Sequence, residues 1–200
     1  MTIEAARSVP RVLDLERTRG PFADARTLPG AVYTSGEVLQ LEQRGLFARE
    51  WLCVGREADI PAAGDYFLKE IAGDSIIVLR GADRVVRAFH NVCRHRGSRL
   101  LDAPRGRGLP RLLCPYHSWS YQLDGSLQNA PRMGEGFCKA DFPLVPVRLG
   151  VHEGFIFVNL DDGAQPLEHY LADLPDLRRF RMPELVCGRR IEYDVAANWK

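Results

Sequence analysis

Two short stretches, CRH at residues 93–95 and CPYH at 114–117, constrain this chain more than any other feature. Each brings one thiol and one imidazole close together, and eighteen residues lie between the two pairs. The first pair stands among Arg94, Arg96 and Arg99 in NVCRHRGSRLL. That is too much charge for a buried strand, and a helix would turn Cys93 and His95 to different faces. Both stretches are therefore predicted to be loops. A fold that uses them must bring the two loops to one place.

Cys93, His95, Cys114 and His117 are close enough within each loop to share a metal centre. A zinc finger usually takes two cysteines from one turn and two histidines from another. Here each loop offers one of each, which suits a centre with two different metal positions. A [2Fe–2S] cluster with two cysteines on one iron and two histidines on the other fits that pattern, with a zinc site as the alternative. Neutral imidazoles in place of two thiolates leave less negative charge, so such a cluster is reduced more readily than an all-cysteine one. It can take an electron from a flavin or ferredoxin donor.

The surrounding rhythm is that of short strands. YFLKEI and SIIVLR flank Ala72-Gly73-Asp74, and VVRAFHNV follows Gly81-Ala82-Asp83. SWSYQL leads into Asp124-Gly125, a hairpin signal, and LVPVRLG and GFIFVNL meet at His152-Glu153-Gly154. Strands this short and frequent predict a small antiparallel barrel or sandwich. Before them, TSGEVLQLEQRGLFAREWL reads as a helix with Thr34 and Glu37 at capping-box spacing and Val38, Leu41 and Phe47 on one face. Residues 1–33 read as an extended arm. After Gly163 a helix is predicted with Pro166 in its first turn and Leu167, Tyr170, Leu171 and Leu174 as its stripe. RRIEYDVAANWK then reads as a strand.

Composition bounds the function. A net charge of +1 argues against wholesale binding to nucleic acid or an anionic membrane. No apolar run reaches the length of a membrane helix, and the N-terminus lacks the apolar core of a secretory signal, so a cytoplasmic location is expected. Five cysteines, an odd and scattered set, point to metal binding or core thiols before disulfides.

FHNVCRHRGSRL and LLCPYHSWSYQLDGSL, followed by FPLVPVRLGVHEGFIFVNL, resemble the Rieske non-haem iron oxygenases, the ring-hydroxylating oxygenase α subunits. The resemblance runs over about residues 34–200. It implies a mostly β chain with flanking helices: an arm and helix at 1–44, a Rieske [2Fe–2S] antiparallel β domain at 45–160, and the start of an α+β catalytic domain at 161–200. Cys93 and Cys114 would bind the inner iron, and His95 and His117 the outer one. The family often has glycine where Ser118 stands. Respiratory-complex Rieske proteins carry an extra cysteine in each loop, whereas only Cys114 lies between Cys93 and His117 here. TLPGAVYTSGEV and NVCRHRGSRLL look most like the branch acting on quaternary amines, such as choline and glycine betaine monooxygenases.

By the same resemblance, the full-length protein would take electrons from a ferredoxin or flavin reductase and pass them to a mononuclear Fe(II) for hydroxylation or N-demethylation. It would work as a homotrimer. The mononuclear ligands would follow Lys200, so these residues are expected to carry an electron without activating oxygen. A stand-alone Rieske ferredoxin is the rival reading, and a zinc-stabilised module the weaker one. Arg94, Arg96, Arg99, Arg105, Arg107 and Arg111 face only Asp102 between the two pairs, a surplus that fits an acidic electron donor. Tyr116 and Trp119 are read as packing that shields the cluster. Cys53, Cys138 and Cys187 are read as thiols without a ligand role, His90, His152 and His169 as structural, and Glu70 and Asp65 receive no role.

Overall fold

Ile76, Ile77, Val78 and Leu79 form an unbroken apolar run because β3 (Asp74–Arg80) is buried on both faces. Ile76 and Val78 enter one core and Ile77 and Leu79 the other, as the two-residue period of a strand requires. This is the centre of a computed structural model that describes residues 18–200. The first 17 residues of the expected arm lie outside the described residues.

The other strands of the main sheet are β1 (Leu52–Arg56), β2 (Tyr66–Ile71), β4 (Val86–His90), β5 (Arg105–Gly106), β9 (Pro146–His152) and β10 (Phe155–Asn159). They hydrogen-bond in the order β1-β10-β9-β4-β3-β2-β5, antiparallel throughout. A second sheet is formed by β6 (Leu112–Leu113), β7 (Ser120–Tyr121) and β8 (Leu127–Asn129). The expectation of a mostly β antiparallel fold with flanking helices holds, and the helices are few and short. Residue 71 pairs with 74 and residue 152 with 155, so Ala72-Gly73 and Glu153-Gly154 are two-residue loops with left-handed backbone. Asp74 belongs to β3 rather than to the turn.

The two cores divide the labour. Val54, Ile60, Phe67, Ile156 and Val158 join Ile76 and Val78 in a purely structural core. The other core takes Ile77, Leu79 and Phe89 from the main sheet and Leu112, Tyr121 and Leu127 from the small one. Cys93 and Cys114 sit inside this second core.

The helical predictions needed adjustment. A short helix, α1 (Gly30–Thr34), precedes α2 (Gly36–Glu42), so Thr34 closes one helix instead of capping the next. Ser35 is the N-cap of α2, its hydroxyl accepting from the Val38 amide at 3.4 Å. The helix then widens into a π-turn over Gln43–Phe47, which contains Gly45. Near the other end, α3 (Leu167–Tyr170) is a single turn with Pro166 as its N-cap. Leu167 alone of the predicted stripe is buried, seated over Gly150 of β9. Tyr170 and Leu174 are exposed.

The predicted strand at RRIEYDVAANWK is absent: residues 189–200 are irregular, with Tyr193 and Val195 exposed. A strand exists only where a neighbour takes its amides, and this segment meets none among the described residues. It is held instead by side chains. Arg190 pairs with Asp59 at 3.8 Å, Trp199 donates from Nε1 to Glu42 at 3.0 Å, and Lys200 pairs with Glu42 at 2.7 Å. Among the described residues no helix is long and apolar enough to cross a membrane.

Gly64 ties the region ahead of β2 to the segment between the two cysteine–histidine loops. Its carbonyl accepts from the Leu109 amide at 2.9 Å and its own amide donates to Arg80 O at 2.9 Å. Its φ is +80°, and a Cβ would collide with the Leu109 backbone, which cannot swing aside. Gly64→Ala is expected to cost about 3 kcal/mol, combining left-handed strain with overpacking. A fall in the urea unfolding midpoint at unchanged slope would measure it, and a midpoint equal to wild type would refute it.

Candidate metal centre

The two loops share one backbone design. In the first, between β4 and β5, the Gly97 amide donates to Cys93 O at 3.0 Å and the Cys93 amide to Ser98 O at 2.8 Å. In the second, between β6 and β7, the Ser118 amide donates to Cys114 O at 3.1 Å and the Cys114 amide to Trp119 O at 2.8 Å. Each cysteine thus begins a tight turn closed four and five residues later. His95 stands two residues into its turn and His117 three into the other.

Gly97 and Ser118 occupy the same place in the two turns, with φ of +70° and +60°. That left-handed conformation explains a preference for glycine after the second histidine and makes Ser118 a strained exception. Ser118→Gly is expected to stabilise the protein by about 0.5–1 kcal/mol, the strain relief exceeding the added chain entropy. Differential scanning calorimetry would register it as a rise in Tm of a degree or more. A lower Tm would contradict the strain argument.

The four side chains converge as two pairs. Cys93 and Cys114 are buried and interact with each other, while the His95 and His117 rings meet edge-on with centroids 4.7 Å apart. Among the described residues, the buried Nδ1 atoms of both histidines have no hydrogen-bond partner. Among the described residues, no three His, Cys, Asp or Glu side chains converge tightly enough for a single metal ion. Cys53, Cys138 and Cys187, by contrast, are exposed thiols.

Local electrostatics differ at each position. Burial pushes the Cys93 thiol up, against hydrogen bonds from Tyr121 and the His95 amide. Burial acts on Cys114 too, but the amides of Tyr116 and His117, with Cys93 and the Ser98 hydroxyl, outweigh it and hold that thiol below its ordinary value. The hydroxyl that leans on the Cys114 sulfur is thus that of Ser98. Desolvation, followed by the charges of His95, Arg96 and Arg132, lowers His117 and favours its neutral form, the one that binds metals. Tyr121 is pushed well above its usual range, chiefly by burial and by its bond to Cys93, so it stays a phenol. Its hydroxyl lies 3.4 Å from Cys93 Sγ and accepts from the Arg94 amide at 3.0 Å.

Several positioning residues escaped the sequence reading. The second loop is closed by pairing of β6 with β7, whereas the first has a single backbone bridge, Val92 with Arg99, reinforced by one buried side chain, Asn91. Asn91 Oδ1 accepts from the amides of Leu100 and Leu101 at 3.1 and 3.0 Å. Its Nδ2 donates to Leu101 O at 2.7 Å and to Ser75 Oγ at 3.2 Å. Arg99 braces the same neck by donating to Ser75 Oγ at 2.8 Å and pairing with Glu70. Asp65, also buried, accepts from the amides of Ala62 and Gly108, both at 3.0 Å. An asparagine directly after an apolar strand was the one available signal, since its amide commonly closes loops.

Among the described residues, three of the six arginines between the pairs have acidic partners: Arg99 with Glu70, Arg105 with Asp59 at 3.6 Å and Arg107 with Asp65 at 3.9 Å. The expected surplus therefore shrinks to Arg94, Arg96 and Arg111, joined by Arg132. Trp119 is buried and stacks on His95 at 4.8 Å, as a shielding residue would. Tyr116 touches the His117 ring at 3.8 Å but is 62% exposed, so it offers surface where shielding was expected.

Residues 50–149 match the Rieske [2Fe-2S] domain. The carnitine monooxygenase oxygenase subunit of Escherichia coli (strain K12) is 39% identical over 183 residues, covering 88% of this chain and 48% of that protein. The glycine betaine monooxygenase oxygenase subunit of Chromohalobacter salexigens is 42% identical over 176 residues, covering 87% and 39%. The crystal structure of the quaternary ammonium Rieske monooxygenase CntA with L-carnitine superposes with a TM-score of 0.70 at 38% identity, covering 75% of this chain and 43% of that one. The chain spans less than half the length of these relatives.

Proposed function

The chain belongs to the Rieske [2Fe-2S] domain family, and on that premise we propose that Cys93, His95, Cys114 and His117 hold the cluster in the electron-transfer portion of a non-haem iron oxygenase. The observation that carries the assignment is the pairing itself: two buried thiols on matched turns and two imidazoles whose buried Nδ1 atoms have no partner among the described residues. A two-iron group with thiolates on one iron and imidazoles on the other uses all four. When bound, it supplies a one-electron store at a potential above that of an all-thiolate cluster.

The chain's own residues hold and shield the site. Peptide amides in each turn and the Tyr121 phenol point toward the cysteine sulfurs, which stabilises the thiolate form. The apolar core around Cys93 and Cys114 excludes water from that side. His95 and His117 occupy the outer side, only partly covered, where a redox partner can approach. Arg94, Arg96, Arg111 and Arg132 fit an acidic ferredoxin or flavin reductase as electron donor.

We extend the reading to the whole protein as follows. Residues 45–160 form the Rieske domain and 161–200 open a catalytic domain carrying a mononuclear Fe(II). The intact subunit is cytoplasmic and assembles as a homotrimer, and it oxidises a quaternary amine related to carnitine or glycine betaine, the compounds for which the similar monooxygenases are named. Anaerobic expression with iron and sulfide, followed by absorption and EPR spectroscopy, tests the cluster. A red-brown protein with the EPR signal of a reduced mixed-ligand cluster supports it. A colourless protein with stoichiometric zinc would replace it with the zinc module. Reading the coding DNA beyond Lys200 then separates oxygenase from stand-alone carrier: an Asp/Glu and two closely spaced histidines on a helix support the first, and an immediate stop the second.

A further inference from the structure

The chain has three tryptophans, and two of their indole N–H groups have evident acceptors. Trp51 Nε1 donates to Gln165 O at 2.9 Å and Trp199 Nε1 to Glu42 at 3.0 Å. Trp119 is only 1% exposed, yet its Nε1 has no partner among the described residues. An indole N–H can only donate, and burying it unpaired forfeits its full hydration.

Its neighbours sharpen the question. Five buried side-chain nitrogens lack partners among the described residues, and two of these are the Nε atoms of Arg56 and Arg148, whose guanidinium groups bond elsewhere. The remaining three are Nδ1 of His95, Nδ1 of His117 and Nε1 of Trp119. They belong to one aromatic stack: His117 lies edge-on to His95, and His95 lies nearly parallel to Trp119, with 9° between the planes. Phe137 and Phe142 press on the indole at 5.5 and 5.9 Å, fixing its orientation. Two lone pairs seeking a metal and one donor seeking an acceptor are thus gathered at one place. A group made of iron and sulfur answers both demands at once.

We propose that the Trp119 indole N–H donates a hydrogen bond to a sulfur of the cluster held by Cys93, His95, Cys114 and His117. Trp119 is then a donor to the cofactor that tunes its potential, a role beyond the shielding its bulk supplies. The inference rests on the cluster assignment above. Reduction adds negative charge to the iron–sulfur group, so a donor to sulfur favours the reduced state and raises the potential.

Trp119→Phe keeps an aromatic ring against His95 and removes the N–H together with part of the indole's bulk, which is why the nitrogen coupling in the wild type is measured beside it. Its cluster is expected to form with wild-type iron content but to be reduced less readily. The shift expected is about tenfold in the reduced-to-oxidised ratio at fixed potential, or about 59 mV for one electron. In wild-type protein carrying indole-15N tryptophan, pulsed EPR of the reduced cluster is expected to show coupling to one indole nitrogen. That measurement stands even if the variant folds poorly. An unchanged potential in a loaded Trp119→Phe protein, or no indole coupling in the wild type, overturns the proposal. Wild-type protein that takes up no iron–sulfur cluster overturns the assignment beneath it instead, so the two failures are distinct.

Discussion

Alanine in place of Cys114 is expected to yield a colourless protein, with bound iron falling from about two atoms per chain to near zero. Cys114 is buried at the start of its turn, and its sulfur already receives the amides of Tyr116 and His117. Nothing nearby can replace it: Cys53, Cys138 and Cys187 are exposed and belong to other parts of the fold. Removing the sulfur also leaves a small void beside Cys93 in the core that both sheets build. Ser98 and Trp119 still close the turns through their carbonyls, so the main sheet should persist and circular dichroism should remain that of a β protein. Cys138→Ala is the control, expected to keep full colour. Iron analysis and visible absorption decide the matter. Colour retained in Cys114→Ala would remove this residue from the ligand set.

The second large effect is on potential. His117→Cys exchanges a neutral imidazole for a thiolate and adds a negative charge to the site, making a further electron harder to place. The midpoint is expected to drop by about 100 mV or more, part of the gap between mixed-ligand and all-cysteine clusters. The position suits the test because His117 lies on the outer side of the site, so a shorter side chain disturbs little packing. Arg96 and Arg132 lie near enough to lower the pKa of His117 and would partly offset the new charge. A redox titration followed by EPR measures the drop. Loss of the cluster would also agree with the ligand assignment, while an intact cluster at the wild-type potential would exclude His117 from it. A zinc site would tolerate the exchange and stay colourless throughout.

These expectations rest on features that were legible to different degrees. The four candidate ligands could be read directly, because metal ligation needs particular atoms at short spacing and those stand in CRH and CPYH. The hairpins at Ala72-Gly73, Asp124-Gly125 and Glu153-Gly154 were equally local, since turn chemistry is written within a few residues. The one-residue shift from Thr34 to Ser35 at the α2 cap is the usual ambiguity when two capping residues are adjacent. The short α3 shows why periodicity alone does not make a helix. Leu167 has Gly150 to pack on, whereas Tyr170 and Leu174 have no such surface among the described residues.

What the chain determined by itself was chemistry and local geometry: thiol and imidazole in two loops, apolar strands between turns, and a charge balance unsuited to nucleic acid. Tertiary structure alone decided the rest. Asn91 became the clamp of the first loop only because β3 brings Ser75 beside it. Gly64 became indispensable only because Leu109 arrives at its Cα, and Glu70 and Asp65 acquired roles only when Arg99 and the Gly108 amide reached them. Trp119 is distinguished from the other two tryptophans by its stacking on His95 and by an indole nitrogen without a partner among the described residues. RRIEYDVAANWK has the alternation of a strand but meets no neighbour to bond among the described residues. The physical reason is common to all of them: hydrogen-bond satisfaction and burial belong to residues distant in the chain, and no window of sequence contains both partners.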